Sequence, residues 1–448
     1  MITWLKGFLH AIISPIALPL VYVSAFLTVV SSIFKRAEWG LFVLVALIPL
    51  PNLWYQLHPY PLGKDLIDFL IFSVLFGIFI NKGGFSKTQN SAFLILFIVV
   101  NYISLWNTSI NFSLPAPITT ENELLRDWKN YAEMIFLYFL VLNAVKDDKQ
   151  LKTVLFIATT VILLIAVREY RNFSEGSAFS YDKRAEGPFW VVGLGANHLG
   201  AFMADYGAFL LGLYLCDDDK KRRWFFLATV LFCIHPLFFS YSRGAYAAAV
   251  VALVFFGLVK NKKLLVLAAV IFISWQTLLP TTVVERIAMT ESPNGRLEAS
   301  AAHRLKLWED AKSMFRENPI FGVGFGGFGL DVPPEETLTD THNFYMKMLS
   351  EQGIIGTSLF LLLLARAFRS GWQLYREAQT PLYKGLGMGF LGCIVATSVS
   401  NIFGDRWSYF VLGGYLFVFW GLVDRAILLS REATENENQP LSAPDPAP

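Results

Sequence analysis

Residues 296–356 read RLEASAAHRLKLWEDAKSMFRENPIFGVGFGGFGLDVPPEETLTDTHNFYMKMLSEQGIIG. On both sides of this polar stretch the chain is almost unbroken apolar sequence, so the stretch is an interruption in a series of hydrophobic helices. Across the 448 residues, hydrophobic side chains make up 54% and charged ones 16%. The mean hydropathy is +0.48. An ordinary soluble domain carries about a quarter charged residues, so that class is excluded. The net charge of +2 is too small to argue for a nucleic-acid partner. Cys216, Cys233 and Cys393 lie in or beside apolar runs, with neither metal-ligand spacing nor a disulfide framework. They read as buried, inert thiols.

A bilayer-spanning helix needs roughly 20 mostly apolar residues. By that ruler the expected fold is all-α, a polytopic integral membrane protein with about 12–13 transmembrane helices and one large loop carrying short helices. The candidates centre on 17–34, 39–54, 65–81, 92–106, 129–145, 152–167, 190–215, 224–240, 244–260, 263–280, 352–368, 383–402 and 407–428. The second candidate is short and proline-broken from Ile48 to Pro51, which fits a partly re-entrant segment, and the first helix reads as uncleaved. Short loops rich in Lys and Arg face the cytoplasm. Lys35-Arg36, Lys82 to Lys87, Lys146 to Lys152, Lys220 to Arg223, Lys260 to Lys263 and Arg366 to Arg376 fall on every second connector. The alternate connectors then face outward: 51–64, 107–127, 168–189, 241–243, 281–340 and 403–406. The divisions are 1–180 as N-terminal helices, 181–430 as a membrane core containing the outer loop 281–341, and 431–448 as a disordered cytoplasmic tail.

Four unusual residues fall on the outer side. Arg304 heads a helical stripe with Leu307, Trp308, Ala311, Met314 and Phe315, in a helix expected from about Ala299 to Phe315. Two readings stand for it: reaching to lipid phosphates or a carboxylate, or binding a substrate phosphate through paired N–H donors. Arg243, in the tight turn FSYSRGAY, is costly at that depth unless paired or facing a polar cavity. Arg184, in YDKRAEGPF, has Asp182 and Lys183 beside it and also fits an ordinary solvated loop. His342 follows the capping residues Asp340 and Thr341, which places the imidazole in a helical first turn. There the helix dipole disfavours the imidazolium, leaving the neutral form a general base needs. A backbone-bonded interfacial histidine is the competing reading.

The glycines from Gly322 to Gly329 fit either a phosphate cradle or tight turns; without a βαβ context the dinucleotide fingerprint fails. Asp217-Asp218-Asp219, beside Lys220 to Arg223, reads as solvated cytoplasmic charge. No outer carboxylate cluster has metal-ligand spacing, so neither metal nor cofactor is required.

Arg304-x-x-x-Trp308, ENPIFGVGFGGF and THNFYMKMLSEQGIIG together resemble the O-antigen ligase and O-antigen polymerase superfamily of bacterial envelope glycan enzymes. His342, ten residues and then Gly353 match its ligase pattern; SRGAY and the segment from Arg184 to Gly200 are also similar. The resemblance covers about residues 180–410. It departs at Ala247, where ligases often carry leucine four residues after the arginine. The resemblance implies a metal-independent, inverting glycosyltransferase of GT-C-like membrane fold in the bacterial inner membrane, its site facing the periplasm. The donor would be a glycan on undecaprenyl pyrophosphate. The leading expectation is a ligase, whose acceptor would be a lipid A–core-like glycolipid; the alternative is a polymerase that joins repeat units on the same carrier. Arg243, Arg304 and Arg184 would hold the pyrophosphate, and His342 would serve as base. Membrane lipids are the other expected partners. A lipid-linked glycan transporter is the alternative outside enzymes.

Overall fold

The computed structural model describes residues 2–80, 85–173, 178–180, 183–289, 299–331 and 340–438, with backbone alone for 2–17, 299–301 and 436–438. Among these, every regular element is helical. Residues 296–298 and 332–339 of the quoted stretch lie outside them.

Seven helices are long and apolar enough to cross a membrane: Ser91–Asn111, Asp148–Asn172, Ala196–Cys216, Lys220–Phe239, Phe344–Glu377, Pro381–Ser400 and Phe410–Glu435. Two bent pairs raise the count to nine if each is one span. The expectation of 12–13 spans is therefore too high for the described residues, for geometric reasons. Ala37–Leu47 and Pro51–Leu57 meet at 102°, and Lys263–Leu278 and Thr281–Ala288 at 103°. Pro51 and Pro280 stand at these bends, where a helix cannot keep its hydrogen bonds. Leu66–Ile80 has 15 residues, about 22 Å at 1.5 Å per residue. Glu123–Ala144 begins with Glu123, Arg126, Asp127, Lys129 and Glu133. The last helix continues to Asn438, past Arg431, and residues 439–448 lie outside the description.

One buried apolar cluster runs from Ala25 to Ala426. Its tightest packing joins Ala196–Cys216 to Pro381–Ser400, where a Cβ on Gly212 would lie 2.4 Å from the Gly389 backbone. Small residues permit this approach, as in membrane bundles generally.

Polar contacts collect at the two ends of the bundle. At one end, Asn90 Nδ2 donates to Asp424 Oδ2 and Ser370 Oγ, each at 2.8 Å, and Arg425 Nη2 donates to the Lys146 carbonyl at 3.0 Å. Lys260 lies over the Tyr375 ring. These are the basic connectors. Asp217 is paired there with Arg222, and Asp219 caps the Lys220–Phe239 helix by accepting from the Arg222 amide. At the other end, Trp407 Nε1 donates to Tyr131 Oη at 2.9 Å and Asn107 Nδ2 to the Gly322 carbonyl at 3.1 Å. The alternation of charge along the sequence thus corresponds to two ends of one multi-pass helical body.

Candidate active site

The helix Ala299–Glu317 closes on itself the stripe read from the sequence. Leu307, Ala311 and Met314 are buried against Val323 and Phe328, with Phe112 and Met346 packed at the margin. Arg304 sits one turn before Leu307, half-buried. Trp308 Nε1 donates to the Thr341 carbonyl at 3.0 Å, which ties the Arg304 helix to the backbone beside His342.

His342 is not in the first turn of the following helix. Phe344–Glu377 is capped by Asn343, whose side chain accepts from the Tyr345 and Met346 amides. Thr341 is engaged elsewhere, its hydroxyl donating to the Asn343 carbonyl at 2.7 Å. His342 therefore lies just outside the helix, with φ +50°, a conformation unusual for a residue with a Cβ. Its Nδ1 faces Asp340 Oδ2 at 3.5 Å. Burial lowers the imidazole pKa below 6.5; Asp340 opposes this, while Arg304, Arg406 and His303 reinforce it. Burial and the neighbouring cations thus favour the neutral imidazole, with no first-turn position involved.

Arg184 Nε and Nη2 both donate to the Ser240 carbonyl, at 2.9 and 2.5 Å, and Nη2 also to Asn197 Oδ1 at 2.7 Å. It therefore braces the turn that leads to Arg243. Ser242 caps the Arg243–Val259 helix through the Ala245 amide, so Arg243 opens that helix. Gly244 abuts Phe403, whose side chain a Cβ there would meet at 2.5 Å. The four arginine and histidine positions fall into two groups: Arg304 with His342, and Arg184 with the turn of Arg243. The connector from Asn401 to Tyr409 touches both.

That connector holds residues the sequence reading passed over. Arg406 is buried, its amide donating to Asn401 Oδ1 at 3.0 Å and its Nη1 to the Asp405 carbonyl at 3.1 Å. Burial lowers its pKa, and Asp340 and Asp405 are the leading opposing influences. Asp405 is almost wholly buried and accepts from Lys347 Nζ at 2.9 Å. Burial pushes its carboxyl up, but Lys347 and Ser408 reverse this and hold it below the ordinary carboxylate value. The available signal was Gly404-Asp405-Arg406-Trp407, charge confined to a short connector between apolar helices, the same signal that singled out Arg243.

The glycine loop is not a phosphate cradle. The Gly322 amide donates to the Asn318 carbonyl, Val323 to Ser350, Gly324 to Glu351, Phe325 to Ser104 and Gly327 to Gly324. The Gly326 amide donates to Glu351 Oε2 at 3.1 Å. Each of these six amides is used by the protein, so the loop stitches helices together.

Beside the loop lies a cavity of about 820 Å³, lined from one side by Trp54, Tyr55 and Asp127 and from the other by Asp340, Lys347 and Glu351. Asp340 is thus shared between the cavity wall and His342. Among the described residues, no group of three His, Cys, Asp or Glu is arranged to hold a metal ion. Cys233 and Cys393 are buried and Cys216 half-buried, all as free thiols.

Residues 227–361 match the family model described as O-Antigen ligase. This segment contains Arg243, Arg304, His342 and Gly353. No curated protein matches the chain.

Proposed function

We propose that the chain is a multi-pass membrane protein of the O-antigen ligase and polymerase superfamily, and that it transfers a glycan from a polyprenyl pyrophosphate donor to an acceptor hydroxyl at the periplasmic face of the inner membrane. The observation that carries the reading is the grouping of His342 with Asp340, Arg304 and Arg406 within a hydrophobic helical body. Undecaprenyl pyrophosphate supplies an anionic leaving group on an apolar tail, and this site pairs cations with a membrane-embedded scaffold.

In the proposed reaction the acceptor oxygen attacks the anomeric carbon. The bond from that carbon to the phosphate oxygen breaks, and the pyrophosphate departs with the electron pair. Arg304 and Arg406 stabilise the charge that develops on it, while Arg243, braced by Arg184, completes the cationic wall. With Nδ1 turned to Asp340, Nε2 of His342 takes the acceptor proton. Attack from the face opposite the leaving group inverts the anomeric centre. None of these steps requires a metal.

The favoured acceptor is a second lipid-linked repeat unit, which makes the protein a polymerase. Ala247, in place of the leucine that ligases often carry four residues after the arginine, is the departure from the ligase pattern that leaves room for this reading. The family match is to an O-antigen ligase model, which favours the second reading, a ligase acting on a lipid A–core-like glycolipid. Purified protein supplied with labelled lipid-linked repeat unit separates them. A ladder of carrier-linked products supports the polymerase. Product formed solely with added core glycolipid supports the ligase. If a His342→Ala variant makes either product at the parental rate, His342 is not the base.

A further inference from the structure

The cavity against Asp340 has dimensions suited to a bound ligand: about 820 Å³, within the roughly 300–1,000 Å³ of small-ligand sites. None of Arg184, Arg243, Arg304 or Arg406 lines it. We propose that this cavity receives the terminal sugars of the acceptor glycan and selects acceptors of low negative charge; the assignment of the ligand as an acceptor rests on the transfer reaction proposed above.

Position is the first argument. A general base takes a proton from the acceptor, so the acceptor hydroxyl must arrive at His342. The cavity meets the His342 site at Asp340, whose Oδ2 faces the imidazole. A sugar lodged in the cavity has its route to the base along that wall.

Charge is the second. Asp65, Asp68, Asp127, Glu133, Asp340 and Glu351 line the cavity against Lys64, Arg126, Lys129 and Lys347. Much of the positive charge is already engaged. Lys129 bridges Asp68 at 2.5 Å and Glu133 at 3.3 Å, and Lys347 is bonded to Asp405. Six acids against four bases leave the lining acidic on balance, by a margin narrowed where Lys129 offsets Asp68 and Glu133 and where burial raises the Glu133 carboxyl to about 7. This lining repels a pyrophosphate, which belongs with the arginines, and it is poorly matched to a phosphate-bearing core glycolipid. Neutral or amino-bearing sugars fit it, because carboxylates accept from hydroxyl and ammonium groups.

Surface chemistry is the third. Trp54, Tyr55 and His58 form a tilted aromatic group on the lining, with Tyr55 and His58 centroids 4.1 Å apart. Aromatic faces next to carboxylates suit a sugar, which offers C–H faces and a rim of hydroxyls. Trp54 Nε1, His58 Nε2 and Asp340 Oδ1 are buried polar atoms with no hydrogen-bond partner among the described residues. Trp54, Asp65 and Asp127 come from segments preceding the matched residues 227–361. Acceptor choice is thereby placed in the part of the chain outside the family segment, and bond-making chemistry inside it.

The test uses the full chain in lipid nanodiscs, with lipid-linked repeat unit as donor. The separately varied acceptor is the repeat-unit oligosaccharide on a short-chain lipid analogue without pyrophosphate, which cannot serve as donor. A Trp54→Ala, Asp127→Asn double variant should raise the acceptor KM at least tenfold, about tenfold being the scale of losing a single charged or aromatic contact and the variant losing one of each. Donor KM and kcat should stay at parental values. Asn130→Trp, which fills the cavity without removing a charge, should act in the same direction. Calorimetric titration with the repeat-unit oligosaccharide, freed from its carrier, should show binding to the parent and loss in both variants. An unchanged acceptor KM with retained oligosaccharide binding in folded variants overturns the cavity assignment, as does a donor KM raised to the same extent. Parental turnover by His342→Ala, with oligosaccharide binding still lost on filling the cavity, instead refutes the reaction and leaves a sugar site.

Discussion

Gly353→Ala tests the construction of the site most directly. Gly353 stands eleven residues beyond His342, at a break in the Phe344–Glu377 helix with φ +59° and ψ −158°. That conformation is open essentially to glycine alone and costs other residues on the order of 1–3 kcal/mol. A Cβ would also lie 2.5 Å from the Ile320 carbonyl carbon and oxygen and 2.8 Å from the Gly322 nitrogen. Those atoms cannot swing away as a side chain would. Their backbone is held by Val323 donating to Ser350 at 2.9 Å, Gly324 to Glu351 at 2.7 Å and Ile354 to Pro319 at 2.9 Å. Relieving the overlap adds on the order of 1–3 kcal/mol, so the total is about 2–6 kcal/mol. This is a large part of a typical ~5–15 kcal/mol stability. Gly193→Ala is the control: Gly193 has φ +76° but nothing within 4 Å of an added Cβ, so only the backbone part, roughly 1–2 kcal/mol, applies. Thermal unfolding in detergent, followed by size-exclusion recovery, should rank parent, Gly193→Ala and Gly353→Ala in descending order, with turnover lost in the last. If Gly353→Ala melts with the control and turns over normally, the stitched-break argument is wrong.

Asp340→Asn tests the electrostatics of the base. Because neutral His342 is the reactive form, the rate rises with pH through its lowered pKa and levels above it. Asp340 is the neighbour that raises this pKa, so its neutralisation should move the acid limb to still lower pH; a limb that stays or moves upward in initial-rate profiles counts against the assignment. Arg406→Ala should lower kcat/KM for the lipid-linked donor roughly 10²–10³-fold, the usual effect of removing one charge-stabilising donor, with partial recovery in Arg406→Lys. Parental kinetics would remove Arg406 from the cationic wall. Glu351→Ala leaves the Gly326 amide without its acceptor, whereas Glu351→Gln retains an oxygen. The alanine variant should unfold first, by about 1–3 kcal/mol, and equal melting temperatures would show that this bond contributes little.

The local patterns were legible where their causes are local. Leu307, Ala311 and Met314 recur at helical spacing, and they do form the buried stripe. The cap was misplaced because Asp340, Thr341 and Asn343 are all good capping residues. The choice among them depends on Trp308 holding the Thr341 carbonyl and on the Thr341 hydroxyl turning to Asn343, and the first of these contacts comes from 33 residues away. Hydropathy counted apolar residues correctly, and Pro49 and Pro51 marked the second candidate as broken, but the turn of more than 100° at Pro280 left no such mark in the count. The glycine run was ambiguous because a cradle and a stitched loop have the same composition. What separates them is the position of the Ser104, Ser350 and Glu351 oxygens. Arg406 was hidden by its brevity of context, a single buried cation in a connector that read as an ordinary turn.

The stitched loop bears on how far the matched segment can be treated as a module. Helix Ser91–Asn111 holds the loop at several points: Ser104 accepts from Phe325, Thr108 Oγ1 donates to the Phe325 carbonyl at 2.8 Å, and Asn111 Nδ2 donates to the Val323 carbonyl at 3.1 Å. A graft of residues 227–361 alone would carry His342, Arg243 and Arg304 but leave behind the surface on which the glycine loop is seated. The smallest transplantable piece therefore includes a helix that begins well over a hundred residues upstream. Chimaeras that exchange this helix together with the loop should keep their amide hydrogen-exchange protection at Gly324 and Phe325, and those that separate the two should lose it.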